Sequence, residues 1–382
     1  MDAASARPAG PPHTASPRTL LLIPSYAKVG IEAEVAAGCH PTMDYHALQR
    51  ELGADIADYA VVDRCRHPLV RAAARTGRDA ALAAYGFVAR RRYDVLFANG
   101  ENVGIPLALL LGGARGRPAH VLIGHRLSPP KKRPFLRALH RRMDAIFVYA
   151  RTQRDYAVAL GIPSARLHLI PFHADHRFYA PQPPPEGRII SSAGLEWRDY
   201  PTLIEAVRDL DVEARLAAAS PWSRHRNETA GRQLPPNVSA RSYGYAELRD
   251  LYARSRVVVV PLYDNDFQAG VTTILEAMAM GRPVIATRTR GQQDVIVDGV
   301  SGLYVPPGDP AALRAAIRRL LENPQEAEQL GRAARRTIEE GMTLDHWVQR
   351  IACVIRQAAA RTADARRAGA PAAQQSRGDW ST

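Results

Sequence analysis

The sequence predicts an α/β chain built from two doubly wound halves that face a central cleft. Three observations carry this. Apolar runs of strand length alternate with helical patterns along 382 residues. The alternation breaks once, at 179–187, where four prolines fall within 181–185 and can continue neither a helix nor a central strand. It then restarts, and a loop, a helix, a tight turn and a buried strand follow one another from Gln268 to Ala286.

Each element has its own signal. Residues 18–25 (RTLLLIPS) are a continuous apolar run with a polar exit, the pattern of a strand buried on both faces. Helical patterns follow at 43–53 and 68–90. Strands are expected at 93–99, 119–124, 144–149 and 167–170, with helices at 105–111 and 152–160. In the second half, strands are expected at 188–192, 214–219, 238–243, 256–262, 284–286 and 302–305. Helices are expected at 200–210, 245–254, 309–322, 325–341 and 344–360. Asp309 and Pro310 read as an N-cap and a first-turn proline. The domains are therefore 18–178 and 188–343, joined by the linker 179–187. Residues 1–17 lack an apolar core and read as a disordered leader rather than a signal peptide. The Ala/Arg/Gln-rich stretch 361–382 reads as a disordered tail.

Composition narrows the class. Hydrophobic content of 46% and charged content of 23% are ordinary for a globular chain. No apolar run reaches the ~20 residues of a membrane span. Cys39, Cys65 and Cys353 are too far apart for a zinc site or a disulfide framework, and a reduced cytoplasmic setting is the simplest reading. The net charge of +13 favours an anionic partner. An Arg- and Ala-rich composition throughout is the plainer source of that charge. No recognised nucleic-acid motif accompanies it, so nucleic acid is not expected as a partner.

The segment from Gln268 to Ala286 carries the functional signal. Its helix starts near Val271 or Thr272 and stops at Gly281, a residue suited to the left-handed C-cap position. Backbone amides at such a helix start attract phosphate. Gly270 and Val271 are expected to supply them, with hydroxyls from Thr272 and Thr273 if these do more than cap the helix. Glu276, one turn further in, can accept hydrogen bonds from a ribose. The segment therefore reads as a sugar-nucleotide site.

An ordered set of landmarks extends this reading: Leu203-Ile-Glu-Ala206; Tyr243-Gly-Tyr245 with Glu247-Leu248 and Leu251-Tyr252; Glu276-Ala-Met-Ala-Met-Gly281; Gly291 with Asp294-Val-Ile; Asp298-Gly299 with Gly302; and Val305-Pro-Pro-Gly-Asp309. With these, the chain resembles the retaining GT-B glycosyltransferases, family 4 (group 1) in particular, over about residues 18–360. The resemblance implies two Rossmann-like domains, with the helix 344–360 crossing back to the first. It also implies transfer of a sugar from a nucleoside diphosphate sugar to a glycan, lipid-linked or small-molecule acceptor. Configuration would be retained, with no metal and no cofactor.

Site residues follow from that likeness position by position. Glu276 matches the family's ribose-binding glutamate. The family's sugar-contacting glutamate is here Gln268, which keeps hydrogen-bonding groups but no charge; an ordinary loop residue is the alternative. Arg198 falls where the family places a diphosphate-binding lysine, while the family's neighbouring arginine has no counterpart near Leu195. Tyr243 and Tyr245 fall on the donor side. His125, at a strand exit, matches a histidine facing donor sugar and acceptor. Ser25, Glu101 and Asn102, at other strand exits, are acceptor-side candidates. The family's Gly-Gly loop after the first strand is replaced by Ser25-Tyr-Ala-Lys-Val-Gly30.

The segment from Arg126 to Arg142 holds seven Lys/Arg and no Asp/Glu, with Phe135, Leu136 and Leu139 among them. It suits peripheral contact with an anionic membrane, or else a solvated basic face whose apolar side lies on the sheet. Two features leave open a non-catalytic sugar-nucleotide or glycan-binding protein on the same fold: Gln268 and the absent arginine. An epimerase or phosphorylase on this fold fits the Glu276-Ala-Met-Ala context less well.

Overall fold

The computed structural model describes residues 16–114, 116–218 and 233–368. Among these residues, twelve short strands form two six-stranded parallel sheets. The first contains β1 (Thr19–Leu22), β2 (Asp55–Ala57), β3 (Val95–Ala98), β4 (Ala119–Gly124), β5 (Ala145–Val148) and β6 (Leu167–Leu169), in the order β2-β1-β3-β4-β5-β6. The second contains β7 (Ile189–Ala193), β8 (Glu213–Ala217), β9 (Val238–Ala240), β10 (Ser255–Val260), β11 (Val284–Thr287) and β12 (Leu303–Val305), in the order β12-β11-β10-β7-β8-β9. This second order is that of a dinucleotide-binding sheet, with its switch point between β7 and β10. The core strands β1, β3, β4 and β5 are buried throughout, as their unbroken apolar runs require.

The predicted alternation is present in both halves. Differences lie where local signals are short. The edge strand β2 has three residues and too little pattern to detect. The helical stretch at 68–90 is two helices, Pro68–Ala74 and Arg78–Ala89, separated at Gly77, whose φ of 145° no other residue type adopts readily. Asp309 does cap the helix Pro310–Glu322, its carboxylate accepting from the Ala312 amide at 2.9 Å.

The chain crosses between domains twice, side by side. Ala174 pairs with Thr343: its amide donates to Met342 O (3.0 Å) and its carbonyl accepts from the Leu344 amide (2.9 Å). The last helix, Leu344–Ala368, then lies on the first sheet, where Trp347, Ile351 and Ile355 pack with Leu21, Phe97 and Phe147. It runs beyond residue 360, correcting the expected start of a disordered tail. Ala and Arg are strong helix formers, and the Arg366 guanidinium holds Arg117 O at 2.5 Å. Residues 1–15 of the expected leader, residue 219 of an expected strand and residues 369–382 of the expected tail lie outside the described residues. Phe178, expected at the end of the first domain, and Tyr179, expected at the start of the linker, both belong to the core of the second domain. Burial of two aromatic side chains outweighs the proline-rich context that follows them.

Candidate functional site

The site is assembled at the β7/β10 switch point, where the carboxyl ends of both strands face the first domain. The loop after β7 and the loop after β10 are laced together. Arg198 and Leu262 form an antiparallel bridge; the Asp199 amide donates to Pro261 O (3.1 Å) and the Tyr263 amide to Trp197 O (3.1 Å). Trp197 is held at a φ of 55°, in a region that a bulky residue rarely visits.

Arg198 lies beneath these loops. Its Nε donates to Ala193 O (2.7 Å), Nη1 to Glu196 O (2.7 Å) and Nη2 to Thr273 Oγ1 (3.2 Å). It is buried, and burial holds its pKa below the usual arginine value. Three donors are thus committed to holding β7 against the helix Val271–Ala279. Thr273 shares that task, donating to Ala193 O at 3.3 Å, and only Thr272 presents its hydroxyl outward. Gly270 precedes the helix at a φ of 75°. A Cβ there would lie 2.7 Å from Val260 Cγ1 and 3.2 Å from Arg198 Nη1, so this approach requires glycine. The first-turn amides beyond it lack intrahelical acceptors.

Glu276 is buried on the same helix. Tyr252 donates to its Oε2 at 3.2 Å, and burial raises its pKa to about 7 against the opposing pull of two tyrosine hydroxyls and Arg198. The second hydroxyl, that of Tyr179, faces the carboxyl without reaching hydrogen-bond geometry. Tyr245 reaches across to the first domain, its ring centre 4.4 Å from that of the buried His40 and 5.7 Å from Lys28 Nζ. Tyr243 lies apart from this group, under the Arg241 guanidinium at 3.7 Å. Gln268 is also buried, and its Oε1 has no partner among the described residues. A buried amide oxygen left without a donor is costly.

Across the cleft, the exposed His125 ring leans on Tyr149 (centroids 5.6 Å apart), whose hydroxyl accepts from Trp347 Nε1 at 3.2 Å. The returning C-terminal helix thereby supports His125. Glu101 turns inward. Its carboxylate accepts from the His125 amide (2.9 Å), the Arg126 amide (3.3 Å) and Lys132 Nζ (2.5 Å). The structure therefore places Glu101 under the His125 loop rather than on an open acceptor surface. Asn102 is exposed and Ser25 half-buried at neighbouring strand exits.

Sequence reasoning missed what joins the halves. Gln153 is buried. Its Oε1 accepts from the Leu127 and Ser128 amides (2.6 and 3.2 Å), and its Nε2 donates to Asp266 O (2.6 Å). Thr152 Oγ1 reaches the same carbonyl at 3.0 Å. Arg126 lies over Trp197 and Phe267, the residues preceding Arg198 and Gln268, at 5.2 and 4.8 Å from their ring centres. The only sequence signal was an arginine directly after His125. The described residues contain no cluster of three or more His, Cys, Asp or Glu able to hold a metal, and no helix among them is long and apolar enough to cross a membrane.

The fold and crevice define a two-domain α/β protein of GT-B type, and comparison with known proteins agrees. Residues 188–323 match the family described as Glycosyl transferases group 1, and residues 14–173 match the Glycosyl transferase 4-like domain. The chain belongs to the group 1, family 4-like glycosyltransferases. It is 26% identical over 233 residues to an MMP alpha-(1->4)-mannosyltransferase of Mycolicibacterium hassiacum, covering 58% of this chain and 55% of that one. It is 28% identical over 274 residues to a GDP-mannose-dependent alpha-(1-6)-phosphatidylinositol monomannoside mannosyltransferase of Mycolicibacterium smegmatis, covering 63% and 70%. The match thus spans just over half the length of the first relative. Among solved structures, HepE of Anabaena in complex with UDP-glucose shares the fold at a TM-score of 0.67 and 17% identity, covering 91% of this chain and 100% of that one. Sucrose-phosphate synthase of Thermosynechococcus elongatus does so at 0.67 and 18%, covering 90% and 100%.

Proposed function

We propose that this protein transfers a sugar from a nucleoside diphosphate sugar to a hydroxyl acceptor, with retention of configuration and without a metal. One observation carries the reading. A single helix presents an anion-binding start at Gly270 and a buried carboxyl at Glu276, with the unpartnered Gln268 Oε1 just before it. Taken along the chain, Gln268, Gly270 and Glu276 match sugar, diphosphate and ribose, the order in which these parts are joined in a donor. Fixed amides oppose the charge that develops on the leaving diphosphate. Arg198 helps by fixing the helix against β7 rather than by standing free in the cleft. His125 and Gln268 would hold hydroxyls on the two sides of the sugar. Closure of the domains excludes water from the reacting bond.

The relatives' names support a sugar nucleotide as donor, and one of them specifies GDP-mannose. The test is a thermal-shift panel of UDP, GDP, ADP and dTDP against wild type and Glu276→Ala, followed by donor hydrolysis with the matching sugar nucleotides. The reading predicts one diphosphate that stabilises wild type alone, and turnover of its sugar donor. Equal stabilisation of both proteins would remove Glu276 from the ribose site. Binding without turnover of any common donor would instead favour a non-catalytic sugar-nucleotide or glycan-binding protein, the reading that the uncharged Gln268 motivates.

On the acceptor side we propose a glycan or lipid-linked substrate met near His125 and Asn102. Leu136 and Leu139 of the basic segment are buried on the first domain, and Lys132 is bound to Glu101. Lys131, Arg133, Phe135, Arg137 and Arg141 stay exposed and are the residues that would touch an anionic membrane. Cosedimentation with anionic and neutral vesicles checks this; equal recovery from both would end the membrane reading.

A further inference from the structure

A second cationic site lies behind the second domain, away from the cleft. The helix Val271–Ala279 ends in a Schellman turn: the Gly281 amide donates to Met278 O (3.0 Å) and the Arg282 amide to Ala277 O (2.9 Å), with Gly281 at a φ of 68°. The turn sends the Arg282 side chain under the proline-rich linker, where Nη2 donates to Gln182 O (3.2 Å) and Pro183 O (2.8 Å). Between the linker and the helix Pro324–Gly341 lies a groove of about 430 Å³, within the usual size of a small-molecule site.

The charge of this groove is one-sided. Five arginines line it, Arg256, Arg282, Arg332, Arg335 and Arg336, against one acid, Glu328. Glu328 is already paired with Arg332, and Arg335 is held by Glu339 from outside the groove. Arg282 is 3% exposed, its Nε has no hydrogen-bond partner among the described residues, and burial alone lowers its pKa to about 10, with no carboxylate acting against it. A guanidinium buried without a counter-charge is costly unless an anion joins it. Guanidinium groups bind phosphate oxygens in paired, planar fashion.

We infer that this groove binds a small phosphate-bearing molecule, held by Arg282, Arg332 and Arg336, at a site separate from the donor cleft. The ligand carries at least two negative charges, since with Arg332 paired to Glu328 and Arg335 to Glu339 three lining arginines, Arg256, Arg282 and Arg336, have no carboxylate partner among the described residues. The inference stands independently of the donor reading, because none of these residues lies at the β7/β10 switch point.

Inorganic pyrophosphate serves as the probe, titrated calorimetrically into the full chain, with sulfate at matched ionic strength as the control. Wild type should bind pyrophosphate more tightly than sulfate. The double variant Arg332→Ala/Arg336→Ala, which changes only exposed side chains, should lose at least tenfold in affinity while keeping its melting temperature. Hydrogen exchange should slow in peptides covering 278–290 and 324–336 when pyrophosphate is present. Unchanged affinity in the double variant overturns the proposal. So does equal binding of sulfate, or protection confined to 268–275, which would place the anion at the donor helix.

Discussion

Arg126 of the first domain forms an ion pair with Asp266 of the second, at 3.2 Å. The same guanidinium covers the rings of Trp197 and Phe267. One side chain therefore touches the loop bearing Arg198 and the loop bearing Gln268, and holds both against the strand exit that carries His125. Exposed ion pairs contribute about 0.2–1 kcal/mol, and each cation–π contact about 0.5–1 kcal/mol. The three contacts together are then worth ~1–3 kcal/mol in favour of this arrangement of the two domains. Arg126→Ala should lower turnover roughly tenfold, the rate equivalent of about 1.4 kcal/mol, while the diphosphate affinity of the second domain changes little. Arg126→Lys keeps the charge but loses planar stacking and should fall between. Steady-state kinetics beside calorimetric diphosphate binding checks this; unchanged turnover in Arg126→Ala would show that the contact is incidental.

Glu276 gives a prediction in pH. Its folded pKa of about 7 lies above the ordinary carboxylate value, so the folded state binds the extra proton and stability falls as pH rises through the interval between the two. The loss is on the order of 3 kcal/mol across about pH 4.5 to 7, from 1.36 kcal/mol per pKa unit. Glu276→Gln cannot titrate. Its melting temperature should therefore decline less than that of wild type across that interval. Diphosphate binding should show the opposite trend in wild type, strengthening as pH rises through 7, because a ribose is better held by the ionised carboxylate. Parallel melting curves for the two proteins would mean that Glu276 titrates normally.

These two relationships differ in how visible they were in the sequence. Glu276 sat in a long ordered motif on a helix that stops at Gly281, which takes the left-handed conformation its C-terminal position implies. Buried parallel strands were equally plain, because continuous apolar runs need no partner to be recognised. Arg126 was hidden inside a run of basic residues, since charge pattern alone does not separate a solvated arginine from one stacked across a domain boundary. Gln153 and Asp266 are 113 positions apart and meet only through tertiary docking. Arg198 was found by position, but its three internal acceptors could not be read from sequence.

Gln268 is testable in both directions. Its Oε1 is buried without a donor, so Gln268→Ala removes an unsatisfied group at little cost to folding, within about 1 kcal/mol. It should reduce turnover of the sugar donor by about tenfold or more, the scale of one lost charge-stabilising contact, with diphosphate affinity unchanged. Gln268→Glu restores a carboxylate beside the sugar and should raise turnover above wild type if the transition state carries oxocarbenium character. Titrations with the diphosphate alone separate the two effects. A parallel loss of diphosphate affinity in Gln268→Ala would make Gln268 a general loop support rather than a sugar contact.

Glu101 offers the sharpest separation of support from chemistry. Its carboxylate holds two successive amides, at His125 and Arg126, and the Lys132 ammonium. The side chains of Glu101 and Lys132 are 9% and 20% exposed, so breaking the pair leaves a poorly hydrated ammonium behind. Glu101→Gln should cost about 2–3 kcal/mol of stability, read as a lower melting temperature. Adding Lys132→Met removes the stranded charge and should restore part of that loss, a coupling of about 1 kcal/mol or more. Turnover should not recover with it, because the two amides that orient His125 still lack their carboxylate. If stability and turnover return together in the double variant, Glu101 matters only as the partner of Lys132. If turnover stays low while the melting temperature rises, Glu101 acts on the reaction through the position of His125.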